Sequence, residues 1–491
     1  MSTRAAVVGR PRLAQIEPLH LLAAVFAAAS LATVASWPLV DPDAPWHVLL
    51  GSQVWGGVAP WQAGRGWTFA PVDDSHWVTT QWLAELLTAG VHGALGWSGL
   101  LVFRALLTLG LLFVLAVTLL PGRPARASVP VFLIAAGPAF MVSVQERPQS
   151  LSFMLLVPVS WWALRIVQQA RPPSAWVVVP LTVGWANTHG LWILLPATFT
   201  LAAVARWTDH GVRDRASART LALVAASLAS ALVTPAGIGT LTAGWRFRKA
   251  AGPQITEWLP VNLIGTDAIP LVALGVVMVV AWSRGRVRPP RSELLYVGGL
   301  LLFGLSAYRN VTPALLLTAP FALSRITAAW DPQPSRTSER ERRLLGGTIA
   351  AVVTVGLMVA IVEVALIKPF PSDAPVMLAE QVAGRPEGTR VLPEYNDSGL
   401  VLALIRPSGK TAIDGRSDLF GAAYIGRYGT LTDAGYGWQA TLRELDPTSA
   451  ILRRTTNLAK KLQKCGWLVE DSTPTHLLLV PTPGWSCPAG S

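Results

Sequence analysis

The side chains of this chain best suited to chemistry sit in five short polar breaks between apolar runs. Asp41, Asp43 and His47 follow the first run; Gln145, Glu146 and Arg147 separate two later ones; Asn187 and His189 close the fifth. Thr256, Glu257 and Trp258 form another break, and Arg309 and Asn310 a last one. A carboxylate in such a place can take a proton from a hydroxyl, and a forked guanidinium can hold a phosphate. Ionisable groups near membrane depth are costly unless they pair or face water, so their recurrence predicts one wet hollow. Each residue also has a plainer reading. Asp43 can be a helix cap, Asp41 a polar group at headgroup level, Arg147 the partner of Glu146 or of another outer-face acid, Arg309 a contact to lipid phosphate, and His189 a packed imidazole. Asp73, Asp74 and His76 offer a D-D-S-H cluster with cation-binding groups, but the spacing reads first as a solvated turn.

The elements that position these residues are membrane helices. With 52% hydrophobic and 14% charged residues and a mean hydropathy of +0.44, 491 residues are too apolar for a soluble protein of this size. The net charge of +12 does not point to nucleic acid, because the arginines are scattered over short loops without a basic stripe. Windows of roughly 20 residues suited to crossing a bilayer fall near 18–40, 98–120, 129–144, 149–166, 176–189, 190–205, 220–235, 267–283, 294–308, 311–327 and 344–366. The first run lacks a small-residue cleavage site and is expected to remain as a helix. Loop charge orients the chain. Loops on the N-terminal side carry 20 arginines, among them Arg4, Arg10, Arg12, Arg286 and Arg336; the opposite loops before residue 368 carry Arg65, Arg147, Arg246, Arg248, Lys249 and Arg309. The positive-inside rule then places the N-terminus in the cytoplasm and all five polar breaks outside. Arg104, six residues inside the second run, is expected to snorkel outward or to pair with an outer carboxylate.

Residues 41–97 form the longest loop of this part. Asp43 before Pro45 predicts an interfacial helix through Leu50, and Trp82, Leu83, Leu86 and Leu87 predict a second one over Thr80–Leu95. Seven tryptophans in the loop read as an aromatic belt, with sugar stacking as the sharper alternative.

After Lys368 the composition turns polar. Short β-type runs at 390–392, 411–413, 450–452, 467–470 and 477–480 alternate with helical patterns near 399–406, 420–433 and 455–464, predicting a small α/β sheet finished by a hairpin. Asp414 and Arg416 of I-D-G-R sit at a strand end, where a ligand site and an internal ion pair are equally expected. Cys465 and Cys487 are the only cysteines, and an even pair on the oxidising side suggests a disulfide. The expected whole is an all-α polytopic membrane domain (1–367, about 11 transmembrane helices) followed by an extracytoplasmic α/β domain (368–491).

D-P-D-A-P-W-H at 41–47, the W-x-T-x-Q-W-L-A-E segment ending at Glu85, E-R-P-Q at 146–149, W-A-N-T-H-G at 185–190, I-T-E-W at 255–258 and D-G-R at 414–416 resemble a bacterial group of GT-C-like membrane proteins. The resemblance spans nearly the whole chain and implies the fold of the GT-C glycosyltransferases, which use polyprenyl-phosphate sugars. It implies a base in the first outer loop, with Asp43 in register with the first acid of the family pattern. Ala44 replaces the second acid, and Asp41 could supply the missing carboxylate. In such an enzyme Arg147 and Arg309 would hold phosphate, and His47, Glu146, Asn187, His189, Glu257 and Asn310 would line the substrate. The implied partners are membrane lipids, a polyprenyl-phosphate sugar donor and an envelope glycan, lipid or protein acceptor, in a bacterial cell membrane. No nucleotide-binding fingerprint is present, no cofactor is demanded, and a divalent cation has a place. The competing readings are a lipid or solute transporter, for which no internal repeat is detected, and a non-catalytic envelope assembly factor.

Overall fold

The computed structural model describes residues 16–121, 123–143, 145–251, 255–285, 288–329 and 337–487. Arg4, Arg10, Arg12, Arg286 and Arg336 lie outside the described residues. Each of the expected apolar windows overlaps a helix: α1 (His20–Ala35), the second half of α3 (Trp82–Leu119), α4 (Ala125–Ser143), α5 (Gln149–Gln169), α6 (Ala175–Ala186), α7 (Leu194–His210), α8 (Arg215–Ser230), α10 (Ile269–Arg284), α11 (Arg291–Leu305), α12 (Val311–Ala329) and α13 (Glu339–Leu366). Among the described residues six helical segments are long and apolar enough to cross a membrane. α6 is short by comparison: 12 residues rise only about 18 Å at 1.5 Å per residue, well under the ~30 Å hydrocarbon thickness. The protein is an integral membrane protein.

Between the apolar helices lie α2 (Ala44–Trp55), which starts immediately after Asp43 and runs a turn beyond the expected end, and α9 (Gly239–Ala251). The second expected helix of the loop is the first half of α3, from Trp82; it ends at Gly96, whose non-helical backbone (φ 65°, ψ −163°) an L side chain would resist, and the apolar helix follows directly. α2 lies flat on the first half of α3 because Gly51 admits the backbone of Glu85: a Cβ on Gly51 would stand 1.9 Å from the Glu85 carbonyl oxygen.

The core of the bundle forms around α12, in which Leu315, Leu316, Leu317, Phe321, Ala322 and Leu323 are buried. The end of the bundle opposite the C-terminal sheet is tied by a polar knot. Arg325 of α12 meets Glu293 of α11 in a two-pronged pair at 2.6 Å for both contacts, and Trp282 of α10 donates to the same carboxylate. Such pairing is what allows a buried carboxylate at a helix end.

Beyond α13 the chain forms a five-stranded sheet in the order β2-β1-β3-β5-β4. β1 (Thr389–Pro393), β2 (Gly409–Thr411) and β3 (Ser449–Arg453) run parallel, while β4 (Trp467–Ser472) and β5 (His476–Pro481) close it as an antiparallel hairpin. The helices here are α14 (Val376–Ala383), α15 (Ser398–Ile405), α16 (Ser417–Thr432), α17 (Trp438–Leu445) and α18 (Asn457–Lys464); α14 and α17 add to those expected. Cys465 and Cys487 form a disulfide beside Trp467 and Trp485. The first outer loop joins this sheet. Thr411 donates its N–H to the Trp67 carbonyl at 3.1 Å, and its own carbonyl accepts from Phe69 N–H and the Thr68 hydroxyl. The exposed edge of β2 is thereby covered by the membrane domain's own loop.

Candidate active site

Asp41 lies in the link from α1 to α2 and is buried. Its Oδ1 accepts Arg147 Nε–H at 2.8 Å and the Asp43 N–H at 3.1 Å, and its Oδ2 is buried with no hydrogen-bond partner among the described residues. Arg147 reaches further with its remaining fork, to Asp43 Oδ2 at 3.8 Å and to Glu257 Oε1 at 3.4 Å. One guanidinium therefore holds three carboxylates, drawn from two other polar breaks. Arg147 is not the partner of Glu146. That carboxylate is fully buried and takes Arg104 Nη1–H at 2.5 Å, while Arg104 also donates to the carbonyls of Val34, Trp37 and Pro38 at the end of α1. Arg104 does not snorkel, because four acceptors surround it at its own depth. Its role is to fix α1 and the Glu146–Arg147 turn against α3.

Asp43 occupies the N-cap position of α2, but its side chain caps nothing. Oδ1 instead accepts Trp46 Nε1–H at 3.1 Å, and a third of the side chain remains exposed. Burial, followed by the nearby negative charge of Asp41, holds its carboxyl above the ordinary aspartate range, with Arg147 and His47 opposing. One turn on, His47 Nδ1 lies 3.2 Å from Glu85 Oε1, and the Glu85 carboxylate also accepts the Thr79 hydroxyl at 3.0 and 2.8 Å. Glu85 and Thr79 belong to the W-x-T-x-Q-W-L-A-E segment, which the sequence marks without assigning either a task.

Asn187 is fully engaged in structure. Its carbonyl oxygen accepts Trp82 Nε1–H at 2.6 Å, and its amide donates to the Val183 and Val233 carbonyls at 2.8 Å each. His189 has Nδ1 committed to the Ser152 hydroxyl at 2.9 Å and the Leu191 N–H at 3.3 Å. With both groups donating, the proton resides on Nε2, which has no partner among the described residues. Arg309 stacks over the Trp258 ring at 4.2 Å and is close enough to interact with the charges of Glu257, Arg147 and His189. Asn310 turns away to the Ser306 hydroxyl.

The roof comes from the C-terminal domain. Gly415 of I-D-G-R sits on Asp43 so closely that a Cβ would stand 2.1 Å from Asp43 Oδ1 and 2.2 Å from Trp46 Nε1. Tyr395, whose hydroxyl pairs with Ser417 Oγ at 2.9 Å, lies within the field of Asp43. Asp414 and Arg416 themselves face inward as a two-pronged ion pair at 2.8 and 2.7 Å. The Arg416 guanidinium is flanked by Trp67 at 5.2 Å and Trp77 at 5.1 Å and donates to the Gly64 carbonyl at 2.5 Å. Two of the loop tryptophans thus flank the protein's own arginine. Asp73 and Asp74 accept the N–H groups of Ser75 and Gly66 as turn formers, and among the described residues no group of three or more His, Cys, Asp or Glu is placed to hold a metal ion.

No family model and no curated protein sequence matches the chain. Solved structures do. ArnT from Cupriavidus metallidurans in the apo state aligns with a TM-score of 0.51 at 14% identity, over 94% of this chain and 99% of that one. The archaeal oligosaccharyltransferase AglB from Archaeoglobus fulgidus, in complex with an inhibitory peptide and a dolichol-phosphate, aligns with a TM-score of 0.54 at 11% identity, over 89% of this chain and 69% of that one. From apolar bundle to C-terminal sheet, the chain shares its fold with these two structures.

Proposed function

We propose that the protein transfers a sugar from a polyprenyl-phosphate donor to an envelope glycan, lipid or protein acceptor on the membrane face that carries the C-terminal domain. The carrying observation is the Arg147 hub, where Asp41 and Glu257 share a guanidinium with Asp43. Asp43 is the carboxylate of the Asp41–Asp43 pair left partly open, and a raised pKa makes it the better base. In this reading Asp43 takes the proton of the acceptor hydroxyl as its oxygen bonds to the sugar's anomeric carbon. The bond from that carbon to the phosphate oxygen breaks, and the charge left on the phosphate is met by Arg309 with Arg147 behind it. His189 supplies an Nε2–H to the same hollow, and Glu85 holds His47 in place. The dolichol-phosphate in AglB supports a lipid-phosphate donor. Eleven crossings, a cytoplasmic N-terminus and an extracytoplasmic C-terminal domain complete the reading.

The test is transfer from a panel of polyprenyl-phosphate sugars by membranes holding wild type, Asp41→Asn or Asp43→Asn. We expect Asp43→Asn to lose on the order of 10²-fold or more, the range of a positioned general base. Full transfer in both variants would remove the base and, with it, the enzymatic reading.

A further inference from the structure

The face that carries the C-terminal domain should be poor in cations, yet three of the six that precede residue 368 lie on α9, within Arg246–Lys249. The arginines of the opposite face need no special explanation, since topology alone collects them there. α9 lacks that excuse. Arg246 is turned back to the Gly239 carbonyl at 2.9 Å, whereas Arg248 and Lys249 are exposed and each stands near an aromatic ring: Lys249 Nζ is 5.4 Å from the Trp245 centroid, and Arg248 is 6.0 Å from that of Trp258. Trp245 is 66% exposed, and Ile238 and Ile264 are 74% and 96% exposed, so cations and apolar surface occur together as at a headgroup boundary. The far side of the Arg248 contact matters more. Trp258 also carries Arg309, so one ring joins an exposed cation of α9 to the cation beside Glu257 and Arg147. Trp258 Nε1–H is buried without an acceptor among the described residues, a donor that a phosphate oxygen would satisfy.

We propose that α9 and Trp258 form the approach ramp for the donor lipid: the prenyl phosphate is received from the membrane on Arg248 and Lys249 and handed across Trp258 to Arg309. The ligand class is a prenyl phosphate, and the inference rests on the lipid-phosphate reading given above.

The test uses the full chain in phosphatidylcholine nanodiscs with radiolabelled farnesyl phosphate as probe and farnesol as the neutral control. An exposed cation next to an anionic headgroup changes binding roughly fivefold. Arg248→Gln/Lys249→Gln is therefore expected to weaken farnesyl phosphate binding by about 25-fold, flatten its salt dependence and leave farnesol binding and thermal stability unchanged. Trp258→Phe, which keeps a ring but removes the N–H, should weaken binding without changing the salt dependence. Wild-type binding retained by the double variant would overturn the ramp while leaving the enzymatic reading intact. Wild type that does not prefer farnesyl phosphate to farnesol would overturn both. Displacement of the probe by phosphatidylglycerol at equal mole fraction would make α9 a general anionic-lipid surface and overturn its assignment to the donor.

Discussion

Gly415→Ala is the sharpest perturbation the site offers, because it adds one methyl group and nothing else. Gly415 is not in the left-handed backbone region, so alanine meets no conformational penalty there. The new Cβ would face Asp43 Oδ1 at 2.1 Å and Trp46 Nε1 at 2.2 Å, against the 3.4 Å at which ordinary van der Waals contact begins. The carboxylate and the roof must therefore part by roughly 1 Å or more. Overpacking of this kind costs about 1–3 kcal/mol, which the fold can absorb because the bundle and the sheet keep their own cores. The chemistry is less tolerant: a misplacement of about 1 Å costs on the order of 10²-fold in rate. We therefore expect transfer with kcat down about a hundredfold, KM for the lipid donor nearly unchanged because Arg309 is untouched, and thermal stability only slightly lowered. Gly429→Ala, in α16 with nothing within 4 Å of its new Cβ, is the matched control and should behave as wild type. Wild-type kcat in Gly415→Ala, while Asp43→Asn remains inactive, would show that the roof does not rest on Asp43 in the working protein and refute the reasoning.

Three further outcomes follow from the same geometry. Because burial and the Asp41 charge hold the Asp43 carboxyl above its ordinary range, the acid limb of the transfer rate should lie above the usual aspartate range; Asp41→Asn removes the like charge and should move that limb to lower pH. An acid limb that stays in place in Asp41→Asn would argue that another group is titrating. Glu146→Gln leaves Arg104 buried without its counter-charge, so stability in a thermal-shift assay should fall sharply, by about 3–5 kcal/mol, and the double variant Arg104→Met/Glu146→Gln should recover part of it. Arg416→Lys loses the two-pronged grip on Asp414, and limited proteolysis should then cut the loop between Gly56 and Gln81 faster than in wild type.

The apolar windows and most strands of the sheet are legible because hydropathy and alternation are properties of local sequence. Which polar residues gather at Arg147 is not legible there. Arg147 carries no mark in the sequence that selects Asp41, Asp43 and Glu257 over its neighbour Glu146. That choice is made by Arg104, which lies 42 positions from Glu146 in sequence and takes that carboxylate at its own depth in α3, leaving Arg147 for the other three. The roof is hidden for a related reason. I-D-G-R shows an acid and a base worth attention, yet the residue that touches Asp43 is the glycine between them, and a glycine advertises only the room it leaves. Asn187 and Asn310 look equally suited to a ligand, but their amides are taken by Trp82, Val183 and Val233 and by Ser306, partners that the folded chain selects and the sequence does not name.

The way the C-terminal domain is fastened bears on how the site works. Arg416 is locked to Asp414 on its own domain and flanked by Trp67 and Trp77 of the first loop, while Thr411 continues the sheet into residues 67–69 of that loop. These contacts run from the domain to the loop that carries Asp41 and Asp43, so the loop and the roof are tied to each other. Arg147 and Arg309 belong to other connections of the bundle: Arg104 anchors the Glu146–Arg147 turn to α3, α9 packs on α16, and within the site the meeting is by charge, Arg147 on Asp41, Asp43 and Glu257, and Arg309 within reach of Glu257. Charge pairs between partly exposed groups, as Arg147 makes with Asp43 and Glu257, are weaker and easier to exchange than a buried ion pair between two indole rings. A phosphate arriving at Arg309 would compete with Glu257 for the same cations, and releasing Glu257 from Arg147 leaves that guanidinium freer to meet the phosphate charge. In the proposed reaction, the seam at which the site would respond to its donor therefore lies at Arg147, and the proposed base Asp43 stands on the side tied to the roof.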